Sequence, residues 1–318
     1  MNVINTYIGS NVMIACIAMI ISFIVLAKCA DIFVNCSVNI ADKLKIPKLI
    51  IGIVLVSLAT TAPELSVSLM AAIQGNPEMA LGNAIGSIIC DDGLALGLSG
   101  ILAVSPVLVM PGVLKTSGIF LIFIEILTFL FVIFDNTLNR HEGAILVLLF
   151  IGYLIFLYTQ HKKGRFKEDI SINDYKSVAK PAYLLAILFI ISLGGIIISS
   201  KFIITSAVSI ARVIHIPESI IALTLVAFGT SIPEVATCIT AALKKQGAIA
   251  VGNIIGADIM NICWVAGASS IANNLMLPKK ELLFMFPAMF IIVGVMLLLI
   301  RHGYSLTRRK GIVIFSLY

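Results

Sequence analysis

The 318 residues are 60% hydrophobic and only 12% charged, with a mean hydropathy of +1.10. A soluble domain runs near half apolar and a quarter charged, so this composition excludes an ordinary soluble fold and implies an integral membrane protein. The net charge of +6 and pI near 9.0 come without a nucleic-acid-binding module or aromatic residues interleaved among the basic ones, so nucleic acid is not an expected partner.

Apolar stretches of about 20 residues recur along the chain, the length a helix needs to cross the roughly 30 Å hydrocarbon core. Ten spans are expected, centred near residues 22, 60, 90, 123, 150, 192, 228, 260, 288 and 312. The first, with MIACIAMIISFIVLA at 13–27, has no basic segment before it and no small-residue cleavage site after it. It is read as a retained helix rather than a signal peptide. The fourth contains GIFLIFIEILTFLFVIF at 118–134. After the fifth comes the longest polar run, QHKKGRFKEDISINDYKSVAKP at 160–181, read as a flexible cytoplasmic linker. It divides the chain into a first five-helix repeat at 1–160, a linker at 161–181 and a second five-helix repeat at 182–318. The tenth span, GIVIFSLY, is too short to cross the core, and the chain is expected to continue beyond it.

Lys and Arg crowd the loops that follow odd-numbered spans: Lys43, Lys45, Lys48, Lys115, Lys162, Lys163, Arg165, Lys167, Lys176, Lys180, Lys244, Lys245, Arg301, Arg308, Arg309 and Lys310. The other face holds Arg140, Arg212, Lys279 and Lys280. The positive-inside rule then puts the N-terminus outside a cell membrane that the chain crosses many times. The six cysteines are scattered, mostly within spans and without a C-x-x-C pair, and are read as buried free thiols.

Residues 37–100 align without a gap to residues 207–270 at a constant offset of 170, with roughly a third of positions identical. Each half has an odd number of spans, so the second copy enters the membrane from the opposite side. The expected fold is therefore an all-α integral membrane protein with ten transmembrane helices in two inverted five-helix repeats, whose most similar parts lie at 57–100 and 227–270. Inverted repeats with polar, Gly- or Pro-interrupted helices are a recurrent plan of secondary transporters. The interruptions here are ATTAPE and GTSIPE, then GNAIGS and GNIIGA.

Glu64 and Glu234 sit at equivalent places in this pattern (64 + 170 = 234). An ionised carboxylate in a bilayer helix costs about 2.5–3.5 kcal/mol on insertion scales, so each needs compensation. Packing through a Ser or Thr partner is the ordinary explanation for a single acid; two symmetry-related acids with the same preceding proline argue for cation binding. Pro63 and Pro233 lack an N–H and free carbonyl oxygens around Ala59 and Gly229. Thr60 and Thr230 lie one turn before the glutamates on the same face. Carboxylate, hydroxyl and carbonyl oxygens are the set that hard cations take, and no His or Cys cluster points to a softer metal. Ser87 and Asp91 are spaced i, i+4, with Ala257 and Asn261 as their counterparts. Glycines 82, 86, 252 and 256 permit close helix approach, in packing or in function.

ATTAPE…GNAIGSIICD and GTSIPE…GNIIGADIMN resemble the two α-repeats of the Ca²⁺/cation antiporter superfamily, nearest its prokaryotic Na⁺/Ca²⁺ exchanger branch. The resemblance covers nearly the whole chain. It implies a secondary-active antiporter that exchanges Na⁺ for Ca²⁺ by alternating access, not an enzyme, with no cofactor and with Ca²⁺, Na⁺ and the lipid bilayer as partners. The GN-x-x-E variant usual in H⁺/Ca²⁺ exchangers is absent, which favours Na⁺. An antiporter of the same fold coupled to H⁺, or moving Mg²⁺ or Mn²⁺, is the alternative. The oligomeric state is left open, and a monomer is compatible with the reading.

Carried over position by position, the resemblance makes Glu64 and Glu234 the central Ca²⁺ ligands. Thr60, Thr230, Ser87 and the carbonyls of Ser57 and Ala227 complete flanking Na⁺ sites. Thr61 and Ser231 support the glutamates, while Asp91 and Asn261 line the centre. The chain departs from the family in carrying Asp first and Asn second, and in having Ala257 where Ser is usual. Asp258 and the extra Asp92 are either replacement ligands or amphipathic neighbours. Asp31 and Lys201 are equivalent (31 + 170 = 201) and are read as helix-end charges that snorkel, with a gating contact as the alternative. An intramembrane hydrolase using the acids of DDG at 91–93, and a channel, are the rival classes.

Overall fold

The computed structural model describes residues 12–163, 181–213 and 227–318. Most of the expected linker and the first part of the seventh span lie outside them. The chain begins with α1 (Val12–Leu44). Next, α2 (residues 48–60) runs through a π-helical turn at Gly52–Val56 and meets α3 (Ala62–Ile73) at 51°. Then come α4 (Pro77–Leu102), β1 (Val107–Leu108), α5 (Pro111–Val132), β2 (Thr137–Leu138) and α6 (Arg140–Lys162). The second half contains α7 (Ala182–Val213), α8 (Ala227–Thr230), α9 (Ile232–Leu243) and α10 (Gly247–Ala272). It ends with β3 (Leu275–Met276), α11 (Lys279–Arg301), β4 (Ser305–Leu306) and α12 (Arg308–Leu317).

Seven of the described helices are long and apolar enough to cross a membrane, and eight if α2 and α3 form one bent span. The fold is all-helical apart from two short strand pairs, β1 with β4 and β2 with β3, both antiparallel. The remaining spans anticipated from sequence fall on α9, which has 12 residues, and α12, which has 10.

Element boundaries repeat at the offset seen in the sequence. Adding 170 to Ala62–Ile73 gives Ile232–Leu243, and adding it to Pro77–Cys90 gives Gly247–Met260. A second π-helical turn within α4, Asp91–Leu96, maps onto one within α10, Asn261–Ala266. The ends of α3 and α9 close alike: Asn76 N–H donates to Ala71 O and Gln246 N–H to Ala241 O, each at 2.8 Å. That closure needs one residue in the left-handed region. Gly75 adopts it at φ 81° without a Cβ clash, and Lys245 adopts it at φ 58°.

Burial separates the centre from the rim. In α10, 89% of the apolar window is buried, against 17% in α1. Helices α2 and α10 nearly touch: a Cβ on Gly52 would lie 2.7 Å from Ile249 O, and one on Gly256 2.5 Å from Ser57 Oγ. The expectation of close approach does not hold at Gly82, which faces open space. At the rim, α1 packs along α7, with Phe33 and Phe189 ring centroids 4.5 Å apart. The outer faces of these two helices expose Ile17, Ile20, Ile24, Ile190 and Ile191, a surface suited to hydrocarbon rather than water.

Candidate functional site

Both P-E motifs sit at a broken helix. Thr61 (φ −79°, ψ 0°) and Ser231 (φ −83°, ψ 0°) interrupt the path, and a new helix starts with its proline in the first two positions. Proline is tolerated there because the N–H it lacks would find no partner in a first turn. The break places Glu64 and Glu234 in the first turns of α3 and α9. There the positive end of the helix dipole offsets part of the burial cost of a carboxylate.

Glu64 and Glu234 are 0% exposed. Glu64 lies beside Thr230, but among the described residues no well-formed hydrogen bond reaches either of its oxygens, while Glu234 Oε1 accepts from Thr61 Oγ1 at 3.4 Å. That contact joins the first half to the second. Glu64 has Glu234 and Asp91 as charged neighbours, and Asp91 has Glu234. The three acids are thus gathered at the centre. Asp91 opens the π-helical turn of α4, which packs on α9; Asn261 opens that of α10, which packs on α3. A π turn displaces one residue from the α-helical register and is common at functional sites. Ser87, Asp91, Ser231 and Asn261 are fully buried, Ser231 lies beside Asp91, and among the described residues none of their side-chain polar atoms makes a well-formed hydrogen bond.

Of the remaining sequence candidates, Thr60, Thr230 and Ser57 are already engaged within the protein. Thr60 Oγ1 lies 3.4 Å from Ser57 O and 3.2 Å from Asn253 Oδ1. Thr230 Oγ1 lies 3.3 Å from Asn83 Oδ1. The Ser57 hydroxyl donates to Ile53 O, and the Ser57 carbonyl accepts the Thr61 N–H at 2.8 Å. Ala227 begins α8. Among the described residues, no three His, Cys, Asp or Glu side chains converge closely enough to hold a metal alone. A cation taken up here would draw part of its shell from hydroxyl, amide and carbonyl oxygens.

Three groups were not selected from sequence. Asn83 and Asn253 contact the two threonines; the aligned GN pairs were the available signal. Glu125 of α5 is 1% exposed, lies near Asp92, and has no partner for Oε1 among the described residues; as a single acid in an apolar run it carries no repeat signal. Asp92 and Asp258, both 0% exposed, are neighbours of each other, so the acids extend beyond the central three. Among the described residues, the one ion pair is Lys244 Nζ with Asp31 Oδ1 at 2.7 Å, between α9 and α1. Asp31, expected as a helix-end charge, is half-exposed and carries this pair; Lys201 is exposed.

A multi-helix membrane protein whose buried carboxylates gather at two broken helices, with no basic residue among the described residues paired to them, belongs among proteins that handle cations inside the bilayer. Residues 4–159 and 184–318 match the family model described as sodium/calcium exchanger protein. The chain belongs to this family of membrane antiporters. It is 30% identical to the sodium/calcium exchanger MaX1 of Methanosarcina acetivorans, over 94% of this chain and 95% of that protein. It is 32% identical to an uncharacterized membrane protein of Methanocaldococcus jannaschii, over 91% and 90%. The solved structure of the sodium-calcium exchanger NCX_Mj soaked with 2.5 mM Na⁺ and 0.1 mM Ca²⁺ superimposes with a TM-score of 0.81, at 28% identity and 97% coverage of both chains. These named exchangers are transporters, which fits neither the hydrolase nor the channel reading.

Proposed function

We propose that the protein exchanges Na⁺ for Ca²⁺ across the cell membrane by alternating access at a midplane site. The scaffold is ten transmembrane helices in two inverted five-helix repeats, residues 1–160 and 182–318, joined by a cytoplasmic linker at 161–181, with the N-terminus outside. The repeated element boundaries support the two copies. The strand pairs support the inversion: β1 and β4 follow the third and ninth spans, and β2 and β3 follow the fourth and eighth. A ten-span count puts each pair on one side of the membrane.

The observation that carries the proposal is Glu64 and Glu234, fully buried, electrostatically adjacent, and joined across the halves through Thr61. Two carboxylates are neutralised by one Ca²⁺ or by more than one Na⁺, so the ions compete for shared oxygens. Thr60, Thr230, Ser87 and the carbonyls of Ser57 and Ala227 complete the Na⁺ shells; Thr61, Ser231, Asp91 and Asn261 support the centre. An uncompensated carboxylate pair is costly in low dielectric, which disfavours returning without an ion and makes exchange the outcome rather than leak. Helices α1 and α7 form the moving rim against the buried core.

The test is ⁴⁵Ca²⁺ uptake into Na⁺-loaded proteoliposomes with and without an outward Na⁺ gradient. Gradient-driven uptake, abolished by Glu234→Gln, is expected; uptake indifferent to Na⁺ sinks the assignment. The extra acids Asp92, Asp258 and Glu125, which have no basic partner among the described residues, favour H⁺ coupling as the second reading. Uptake driven by a pH gradient alone would select it.

A further inference from the structure

The asparagines of the two GN pairs make crossed contacts. Asn83 of α4 accepts from Thr230 Oγ1 at 3.3 Å, and Asn253 of α10 accepts from Thr60 Oγ1 at 3.2 Å. Each asparagine therefore reaches the threonine of the opposite half, and the offset of 170 maps one contact onto the other (83 + 170 = 253; 60 + 170 = 230). On its far side Asn83 Nδ2 donates to Ser68 Oγ at 3.0 Å, and Asn253 Nδ2 donates to Cys238 Sγ at 3.4 Å. These partners are equivalent as well (68 + 170 = 238). Asn83 is 5% exposed and Asn253 is fully buried.

A threonine hydroxyl has one proton and two lone pairs. To ligate a cation it must turn a lone pair inward, and its proton then needs an acceptor pointing away from the ion. Thr60 and Thr230 also lie beside the Glu234 and Glu64 carboxylates, which compete for that proton until a cation occupies them. An amide flipped by half a turn would present NH₂ to the threonine and remove the acceptor. After such a flip the amide oxygen would face Ser68 or Cys238; Cys238 Sγ already donates to Ala250 O at 3.5 Å, which leaves its sulfur to accept from Asn253 Nδ2.

We infer that Asn83 and Asn253 are positioning residues for cation binding: each accepts the hydroxyl proton of the opposite half's threonine, so that the hydroxyl oxygen faces the ion. This rests on the cation-exchange reading above. A buried asparagine that only packs would satisfy its amide within its own half; both of these span the two halves and place Oδ1, not Nδ2, on the threonine. The two clamps are unequal. Sulfur is a weak acceptor, so the amide of Asn253 is held less firmly than that of Asn83, and Thr60 is the looser ligand.

The test pairs transport with binding. In proteoliposomes, Asn253→Leu is expected to raise the half-saturating Na⁺ and Ca²⁺ concentrations about tenfold, the loss of one buried hydrogen bond of ordinary strength, with a smaller change in maximal rate. Combining it with Thr60→Val should add little, because both remove the same oriented oxygen. Cys238→Ser, which supplies a stronger acceptor, should lower the half-saturating concentrations two- to threefold and needs no disruptive change. Losses that multiply in the double variant, or an unchanged cation affinity in Asn253→Leu and Cys238→Ser alike, would overturn the inference. Cation-induced thermal stabilisation of the purified protein by Na⁺, Ca²⁺ and Sr²⁺ is measured in parallel. If cations stabilise the wild type but Na⁺ drives no Ca²⁺ uptake, the exchange reading fails while the stabilisation series still judges the clamp. A wild type that no cation stabilises overturns the clamp as well.

Discussion

Glu125 isolates the cost of an acid inside this core, because it lies outside the threonine and glutamate ligand set and has no basic partner among the described residues. A buried group with an unmade hydrogen bond costs about 1–3 kcal/mol, more when charged. Glu125→Gln keeps the shape and removes the ionisable group. It should raise the unfolding temperature of the detergent-solubilised protein by several degrees and leave Ca²⁺ uptake within about twofold. A thiol-reactive dye melt beside the uptake assay checks both, and a lower melting temperature would show that Glu125 is matched to its surroundings. Glu64 and Glu234 were legible in the sequence because proline, hydroxyls and acid recur together at a fixed offset. Asn83 and Asn253 were not, since a buried amide reads the same in sequence whether it packs or orients a ligand. What distinguishes the two roles is the far-side partner, and Ser68 and Cys238 lie 15 residues from their asparagines.

Elements divide the same way. Pro63 and Pro233 announced the breaks that become α2–α3 and α8–α9, because a proline within a helix removes a specific hydrogen bond. The π-helical turns at 52–56, 91–96 and 261–266 had no such mark, since one extra residue in a turn is stabilised by what packs around it. The ion pair of Lys244 with Asp31 likewise became visible only when α9 met α1. Lys244 Nζ also donates to Asn35 Oδ1 at 2.7 Å, so α9 grips α1 at two points. The position equivalent to Lys244 in the first half is Gln74 (244 − 170 = 74), and Lys201 answers Asp31, so the opposite side lacks this pairing. Side chains 22% and 51% exposed make a pair worth about 0.2–1 kcal/mol. If α1 moves against α9 during the cycle, Asp31→Asn should raise the exchange rate up to about fivefold at low ionic strength. The gain should vanish in high salt, which screens the wild-type pair. Rates measured at both ionic strengths, with Lys244→Gln as the matched variant, decide it; a salt-independent change would place Asp31 elsewhere in the mechanism.

At the scale of the whole molecule, the proposed ten-span count brings two patterns together. Most basic residues follow odd-numbered spans, and the strand pairs join loops that the same count would place together: β2 with β3 on one side, β1 with β4 on the other. Inverted halves require this, because equivalent loops must face opposite sides while each strand pair stays on its own. His141, exposed at the start of α6 where Asn139 and Glu142 form a capping box, sits beside the β2–β3 pair. His302 is exposed beside β4. Cysteines introduced as His141→Cys and His302→Cys, in a background lacking Cys16 and Cys29, should therefore respond oppositely to a membrane-impermeant maleimide applied to intact cells. His141→Cys should be labelled from outside, and His302→Cys only after the membrane is opened. Labelling of both from one side would break the odd-span count and with it the inversion of the halves. The reverse order would keep the inversion and turn the protein over, leaving the ion site unchanged and also the direction of driven Ca²⁺ movement, because in an antiporter the Na⁺ gradient sets that direction.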